Sequence, residues 1–360
     1  MKLKVGNITK IRTGKLDANA SSPDGKYPFF TCSKNPLKIS TYSYDCECVL
    51  VAGNGDLNVK YYNGKFDAYQ RTYIIEDNSN GLLYMPYLYY FFEGYIEKLR
   101  KQSIGGVIKY IKLGNLTNAL IELPSIEEQK YIVSLINISS ELIDLRRETI
   151  NKLDSLVKAR FIEMFGDPVS NSKHLPLKTL PQLGTFGRGV SKYRPRNAPE
   201  LLNGPYPLIQ TGDIANSELY IKNYNSTYSE VGLKQSKMWD KGTLCITIAA
   251  NIAKTAILQF DACFPDSVVG FNGNNFTNNI FIYYWFSFFQ EILENQAPES
   301  AQKNINLKIL SELQIITPDI IEQNKFVHFV RHVDKSREEV KKSLEKTQQL
   351  YDSLMQEYFG

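Results

Sequence analysis

Long hydrophobic runs are missing from this sequence of 360 residues. No stretch reaches the roughly 18–20 apolar residues that span a bilayer. The best candidate, FTNNIFIYYWFSFF (276–289), is too short and is better explained as a buried amphipathic segment. The N-terminal MKLKVGNITKIRTGK also lacks the apolar core of a signal peptide. We therefore expect a cytoplasmic protein.

Cysteine and histidine are scarce, with five and three residues respectively. Cys46 and Cys48 could supply two metal ligands, but no matching pair follows at the spacing of a zinc site. His328 and His332 lie one helical turn apart without an obvious carboxylate or cysteine partner, and His174 stands alone in a linker. The sequence thus predicts reduced buried thiols, no metal site and no Ser-His-Asp or Cys-His nucleophile.

Motifs of DNA-modifying and DNA-cutting enzymes are also missing. A methyltransferase that flips its target base would need a loop such as Asn-Pro-Pro-Tyr, and neither 35–37 nor 167–169 fits. The glycine turn at 187–189 makes no S-adenosylmethionine loop, and a phosphate-binding Gly-x4-Gly-Lys-Ser/Thr loop is absent. The acidic residues near 128 and 322 stand at helix starts, where they favour the helix dipole. We therefore predict no catalytic residue in this chain.

Charge of one sign is not in large excess either, since the net charge is only +4. Residues 1–124 carry 16 basic against 11 acidic residues, whereas 167–317 carry 13 against 12. The chain as a whole therefore lacks the large positive charge of a protein that coats nucleic acid. Its positive excess lies mostly in the N-terminal part.

The sequence does contain one pattern that occurs twice. PSIEEQKYIVSLI (124–136) matches PDIIEQNKFVHFV (318–330), 194 residues later. The register holds without a gap over 111–166, and both copies end in Phe-Gly. This regularity indicates an internal duplication. Identities between the copies include Ile111/Ile305, Leu113/Leu307, Pro124/Pro318, Glu128/Glu322, Gln129/Gln323 and Phe165/Phe359.

Each copy continues for about 40 residues without proline or glycine, which predicts long helices over 125–166 and 318–360. Apolar residues recur at alternating spacings of four and three, as in a coiled-coil seam. The seam flaws are complementary, because Ser139 matches Val333 and Ile143 matches Arg337. We therefore predict that the helices, each ~55–60 Å long, pack antiparallel on each other. The predicted seam residues are Ile132, Ile136, Ile143, Ile150, Leu153, Val157, Phe326, Val330, Val333, Val340, Leu344, Tyr351 and Leu354. Two separate surface helices, each packed on its own domain, are the alternative.

The segments before the helices, 1–124 and 167–317, share landmarks in one order. GKYPFFT is matched by GPYPLIQ, ECVLVAGNG by TLCITIAAN, and the aromatic run 84–99 by 279–293. Short β-rich runs come first, and a helix and a final apolar strand follow. We predict an α+β protein in which two mixed α/β domains alternate with the two long helices, related by an approximate two-fold axis.

This order of parts, the repeated Pro-x-x-x-Glu-Gln and the Phe-Gly endings resemble the DNA-specificity subunits of type I restriction-modification enzymes, over essentially the whole chain. GPYPLIQTGDI also resembles the target-recognition domains of that family. The resemblance implies a non-catalytic chain that binds double-stranded DNA and recruits two methyltransferase subunits, one at each domain–helix junction. Through them it would recruit a translocase-nuclease. S-adenosylmethionine, ATP and Mg would belong to those partners, and this chain would hold no cofactor.

Candidate DNA contacts are basic and polar groups in loops that contain glycine. Arginine and lysine suit phosphates and guanine, whereas Asn, Gln and Asp can read other base edges. Many of these residues could equally be turn formers or solvated surface groups. The candidates in 1–124 are Lys10, Arg12, Lys15, Asn54, Asp56, Arg71 and Lys109. Those in 167–317 are Arg188, Lys192, Arg194, Arg196, Thr211, Asp213, Asn251, Gln302 and Lys303.

Two unlike reading domains on one spacer predict a split, asymmetric target, with half-sites roughly one helical turn (~34 Å) apart. Three other readings stay open: a methyltransferase or nuclease with a degraded motif, the recognition part of a related two-site restriction system, and an architectural coiled-coil adaptor that does not bind DNA. DNA affinity that depends on salt would separate the adaptor from the others.

Overall fold

The computed structural model describes residues 1–249, 253–296 and 307–360, with backbone alone for 291–296. The chain divides into two units. The first unit comprises Met1–Glu148 with Val340–Gly360, and the second comprises Thr149–Glu339.

Strands dominate the first unit before its long helix. They are β1 (Lys2–Lys4), β2 (Thr9–Thr13), β3 (Tyr27–Phe30), β4 (Leu37–Ile39), β5 (Tyr44–Ala52), β6 (Val59–Ala68), β7 (Thr72–Asp77) and β8 (Leu120–Glu122). The helices are α1 (Val5–Ile8), α2 (Met85–Gln102), α3 (Leu113–Thr117) and α4 (Ile126–Phe165), with a 3-10 turn at Ala18–Ala20. Strands β2-β7-β5-β6-β3-β4 form one sheet in that order, and β1 pairs with β8.

Strand β5 is central to this sheet and is buried from Cys48 to Ala52. Because successive side chains point to opposite faces, Val49 and Val51 pack against the aromatic helix α2, whereas Cys48 and Leu50 join a second cluster. Both faces are therefore covered over this segment, which explains why β5 is apolar without alternation from Cys48 to Ala52.

The second unit has shorter strands. They are β9 (Leu177–Lys178), β10 (Gly184–Arg188), β11 (Leu202–Leu208), β12 (Tyr220–Ile221), β13 (Ser226–Tyr228), β14 (Met238–Trp239), β15 (Leu244–Thr247), β16 (Thr255–Leu258), β17 (Ala262–Cys263), β18 (Val268–Gly273) and β19 (Ile315–Ile316). Its helices are α5 (Leu180–Leu183), α6 (Thr211–Ala215), α7 (Glu230–Lys234), α8 (Asn279–Gln296), α9 (Leu307–Glu312) and α10 (Ile320–Phe359), with a 3-10 turn at Pro199–Leu201. The sheets run β10-β18-β15-β16-β12 and β13-β11-β17-β14, and β9 pairs with β19.

The same connectivity occurs in both units. The order β2-β7-β5 corresponds to β10-β18-β15, and the pair β1–β8 corresponds to β9–β19. The parallel contact of β3 with β6 corresponds to that of β11 with β17. The structure thus confirms two mixed α/β domains built on an internal repeat.

Each long helix contributes to both units, because the boundaries between units fall within α4 and α10. In the first unit Arg146 of α4 donates to the hydroxyl of Thr347 in α10. In the second unit the ring centroids of Phe161 and Phe326 lie 5.3 Å apart. In the first unit Ile132, earlier in α4 than Arg146, lines a cleft with Tyr358, later in α10 than Thr347. In the second unit Asp154, earlier in α4 than Phe161, pairs with Arg337, later in α10 than Phe326. The helix segments in each unit therefore run antiparallel, as the sequence predicted.

The predicted seam residues all lie at buried or half-buried positions. The seam arginines are accommodated by polar partners. Arg337, whose side chain is only 6% exposed, lies 2.6 Å (Nη2–Oδ1) from Asp154 and 2.7 Å (Nη1–Oδ1) from Asp334. The arginines that interrupt the apolar heptad pattern are therefore stabilised by ion pairs and hydrogen bonds. Across the described residues, no helix combines the length and apolar composition needed to cross a membrane.

Candidate nucleic-acid interface

Strand pairing brings several loops of the first unit to one end of its sheet. Thr13 of β2 lies opposite Tyr73, and Ala52 of β5 lies opposite Thr72. The loops that follow β2 and β5 therefore meet the turn that precedes β7. We define the loop end of the first unit as residues 14–16, 53–58, 69–71 and 103–111.

Backbone hydrogen bonds hold these loops together. The Gly53 amide donates to the Arg71 carbonyl (2.8 Å), and the Gly55 amide donates to the Lys109 carbonyl (3.0 Å). At Gly14 an added Cβ would lie 2.1 Å from the carbonyl oxygen of Ala68, so only glycine fits there. The loop end thus brings together five of the candidates: Lys15, Asn54, Asp56, Arg71 and Lys109. All are exposed except the half-buried Asn54.

Two other candidates of this unit lie elsewhere. Lys10 is paired with Glu76, toward the far end of β7. Arg12 projects from the sheet, with its Nε 2.7 Å from Glu76 Oε1 and its guanidinium 4.7 Å from the centroid of the Tyr44 ring. These contacts give Arg12 a place in the packing of the sheet, away from the loop end.

The carboxylate of Asp56 is also engaged within the unit. Its Oδ1 lies 3.0 Å from Arg100 Nη2, and Arg100 donates a further hydrogen bond to the carbonyl of Leu57 (3.1 Å). The Asp56 side chain is nevertheless highly exposed. The ion pair with Arg100 therefore fixes the loop after β5 and leaves that loop accessible to solvent.

The second unit has a loop end in the same topological position, which we define as residues 188–197, 209–213 and 264–268. Arg188 pairs with Val269, and the amide of Gly189 donates to the carbonyl of Val268 (2.8 Å). An added Cβ at Gly189 would lie 2.1 Å from the carbonyl oxygen of Phe264. Gly189 is therefore the counterpart of Gly14.

Asp266 organises two of the four basic residues here. It forms an ion pair with Arg196, and its Oδ2 lies 3.5 Å from Arg194 Nη2. Arg194 also donates to the carbonyl of Ser191 (2.6 Å). Both guanidinium groups remain about half exposed, so they are oriented but accessible to phosphate or guanine.

Gln235 fixes the middle of the same loop. Its Oε1 accepts hydrogen bonds from the amides of Lys192 (2.7 Å) and Tyr193 (3.1 Å). Since the backbone is held, the exposed Lys192 side chain projects from a defined position. Neither Gln235 nor Asp266 carried a sequence signal, because both lie far along the chain from the loop they hold.

A cleft of about 250 Å³ adjoins this loop, and Arg196 and Thr211 both line it together with Gln210. The nearby Asp213 accepts from the amide of Gln210 (2.8 Å) and from Asn225 Nδ2 (2.7 Å). Asp213 therefore caps α6 as well as lying beside the cleft.

The far end of each sheet is joined to its long helix by a buried glutamine. Gln129 Nε2 donates to the carbonyls of Leu82 (2.8 Å) and Pro124 (3.0 Å), and its Oε1 accepts from the Tyr84 amide (2.8 Å). This connection ties the segment before α2 to the start of α4.

Gln323, 194 residues later in the chain, makes the three corresponding contacts. Its Nε2 donates to the carbonyls of Phe276 and Pro318 (2.9 Å each), and its Oε1 accepts from the Asn278 amide (3.1 Å). The sequence showed the two glutamines as identities of the repeat, but their role required the structure.

Comparison with known proteins agrees with this architecture. The family model described as "Type I restriction modification DNA specificity domain" matches residues 1–155 and 179–349. The chain belongs to this DNA-specificity family.

Similar proteins include the specificity subunit of the type I restriction enzyme EcoDI from Escherichia coli. It is 26% identical over 392 aligned residues, which cover 99% of this chain and 87% of the relative. The putative MjaX specificity subunit of Methanocaldococcus jannaschii is 22% identical over 65% of this chain and 59% of its own length.

Among solved structures, the type I S subunit from M. genitalium superposes with a TM-score of 0.67 at 16% identity, covering 100% of this chain and 96% of that one. A structure concerned with assembly and conformational transition of the type I restriction-modification system gives 0.64 at 16% identity, covering 100% and 97%. These likenesses support the fold.

As a type I specificity subunit, the chain is a non-catalytic DNA-recognition component of a restriction-modification complex. Its two matched domains suit two half-sites. Three candidate contacts of this specificity subunit, Asn251, Gln302 and Lys303, lie outside the described residues. His328 and His332 are exposed, with their Nε2 atoms 2.9 Å apart. In the part of the chain that the structure describes, no group of three potential metal ligands occurs.

Proposed function

We propose that this subunit reads a split, asymmetric DNA target, with one half-site for the domain 1–124 and the other for the domain 167–317. The supporting observation is that both units share one strand connectivity, while their loop ends differ. Backbone positions such as Gly14 and Gly189 correspond, whereas the exposed side chains differ. Loops that occupy equivalent positions but expose different side chains are suited to the recognition of two different DNA sequences.

In this proposal the helices 125–166 and 318–360 serve as the spacer, and the bases between the half-sites are spanned without being read. The subunit recruits two methyltransferase subunits at the domain–helix junctions, and through them a translocase-nuclease. S-adenosylmethionine, ATP and Mg are bound by those partners, and this chain holds no cofactor. The complex works in the cytoplasm.

The test is a domain exchange. The chain is co-expressed with its methyltransferase and the modified bases, expected to be adenines from the resemblance, are mapped across the genome. Replacement of residues 1–124 by the corresponding domain of a relative should change one half of the motif and leave the other intact. If both halves change together, or if the motif is not split, the proposal is wrong.

A further inference from the structure

A small hairpin projects at the loop end of the first unit. Ile104 and Tyr110 exchange two backbone hydrogen bonds, with N–O distances of 3.0 and 2.9 Å, and so close the five residues between them. Gly105 adopts φ +115°, a conformation that favours glycine. We call residues 104–110 the tip hairpin.

The base of the tip hairpin is fixed on the sheet. The Lys109 carbonyl accepts from the Gly55 amide, the Ile111 amide donates to the Gly53 carbonyl (2.9 Å), and the Tyr73 hydroxyl donates to the Ile111 carbonyl (3.2 Å). The hairpin is thus held beside the candidate DNA contacts Asn54 and Arg71.

The outermost side chains of the tip hairpin are apolar. Val107 is 104% exposed and Ile108 is 62% exposed. The segment that carries them, KQSIGGVIKYIK (101–112), contains three lysines and no acidic residue, and the nearby Asp56 carboxylate is paired with Arg100. An apolar point flanked by lysines matches a duplex, which carries phosphates outside and an apolar base stack inside.

We propose that Val107 and Ile108 insert as a wedge between stacked bases in the half-site read by the first unit. This inference rests on the proposed function and adds a mode of recognition to it. Insertion partly unstacks one base step, and the cost depends on which step is opened. Flexible pyrimidine–purine steps open most easily, so the wedge selects sequence without a hydrogen bond to any base edge.

The experiment uses the full chain purified with its methyltransferase subunits, and duplexes that carry the mapped target. Unstacking is followed by permanganate oxidation of thymines and by fluorescence of 2-aminopurine at adenines. Apart from the base pair that the methyltransferase opens when it flips its target, the wild type should show one further reactive step in the first half-site. V107S/I108S should lose that signal and bind about tenfold more weakly. Because no charge is removed, the slope of log Kd against log salt should stay the same.

Two further variants separate the wedge from a loss of fold. V107L/I108L keeps the tip apolar and should retain the unstacking signal. Leu37→Ser alters another exposed apolar residue of the first unit, 42% exposed on the edge strand β4, and should bind as the wild type does.

A wild type that binds specifically without an unstacked base, or a V107S/I108S variant that keeps the signal, overturns the wedge alone. A wild type without sequence preference at either half-site overturns the proposed function instead. If V107S/I108S is folded but no longer co-purifies with its partners, the tip hairpin contacts protein, and the wedge is again wrong.

Discussion

The two units are most alike where the long helices begin and least alike at their loop ends. Gln129 and Gln323 make corresponding contacts, with donor–acceptor distances of 2.8–3.0 Å to the two carbonyls that each one binds. The loop ends share backbone geometry at Gly14 and Gly189 but not side-chain chemistry. The two copies are therefore alike in the contacts that join each domain to its long helix. They differ in the side chains that their loop ends expose to solvent.

The helix segments show a second, smaller difference. In the first unit the polar seam contact is a hydrogen bond from Arg146 to Thr347. In the second unit it is an ion-pair cluster in which Arg337 joins Asp154 and Asp334. An arginine thus interrupts the apolar seam at a different heptad position in each unit. The two arginines are accommodated in different ways, which differ in their expected contribution to stability.

The strongest test of the likeness between the units is loss of either glutamine. Gln129→Ala and Gln323→Ala should each destabilise the chain by about 3 kcal/mol, since each leaves a buried amide and two carbonyls without partners. Thermal or urea unfolding of the full chain measures this. The exposed neighbour Lys130 provides the control, and Lys130→Ala should change little. A marked loss from only one of the two glutamines would show that the junctions are not equivalent.

The difference between the two seam contacts should appear as unequal losses of stability when each arginine is replaced by alanine. Arg337→Ala should cost about 2–3 kcal/mol because it leaves the half-buried Asp334 carboxylate without its cation. Arg146→Ala should cost about 1 kcal/mol, the value of one hydrogen bond. Urea unfolding at pH 7 compares them, and equal losses would contradict the distinction.

The pH dependence of the Arg337→Ala variant sharpens the same comparison. Burial raises the pKa of Asp334, while Arg337 lowers it, so removal of the arginine raises that pKa further. A carboxyl that binds its proton more tightly when folded stabilises the fold as the pH falls. Lowering the pH from 7 to 5 should therefore recover more stability in Arg337→Ala than in the wild type. Parallel pH profiles would count against this assignment.

The smallest expected effect concerns the loop end of the second unit. Asp266→Ala frees Arg194 and Arg196 from their shared partner, and discrimination at the second half-site should fall by about 1 kcal/mol. Discrimination at the first half-site should stay unchanged. Competition binding with single-base changes in each half measures both. Losses at both half-sites would indicate that Asp266 acts on the whole chain.

Much of the architecture followed from the sequence because its signals are local. The helices α4 and α10 occupy 126–165 and 320–359, within the segments that lack proline and glycine. The matched landmarks of the two domains occupy corresponding elements: two pairs of strands, and the aromatic helices α2 and α8. Candidate contacts were harder to place: Lys15, Arg71 and Lys109 converge, whereas Arg12 turns to Glu76. Exposure and partners depend on strand register, which a list of basic residues does not contain.

By itself, the sequence determined the duplication, the long helices and the strand-rich domains, because identity at a fixed offset and apolar periodicity are properties of the chain. Tertiary structure alone decided what the buried glutamines hold, how the seam arginines are neutralised and which loops meet. Each of these depends on contacts between residues that are distant in the chain, such as Gln129 with Tyr84 and Arg146 with Thr347. Such contacts form only after the strands pair and the helices pack, so no local pattern encodes them.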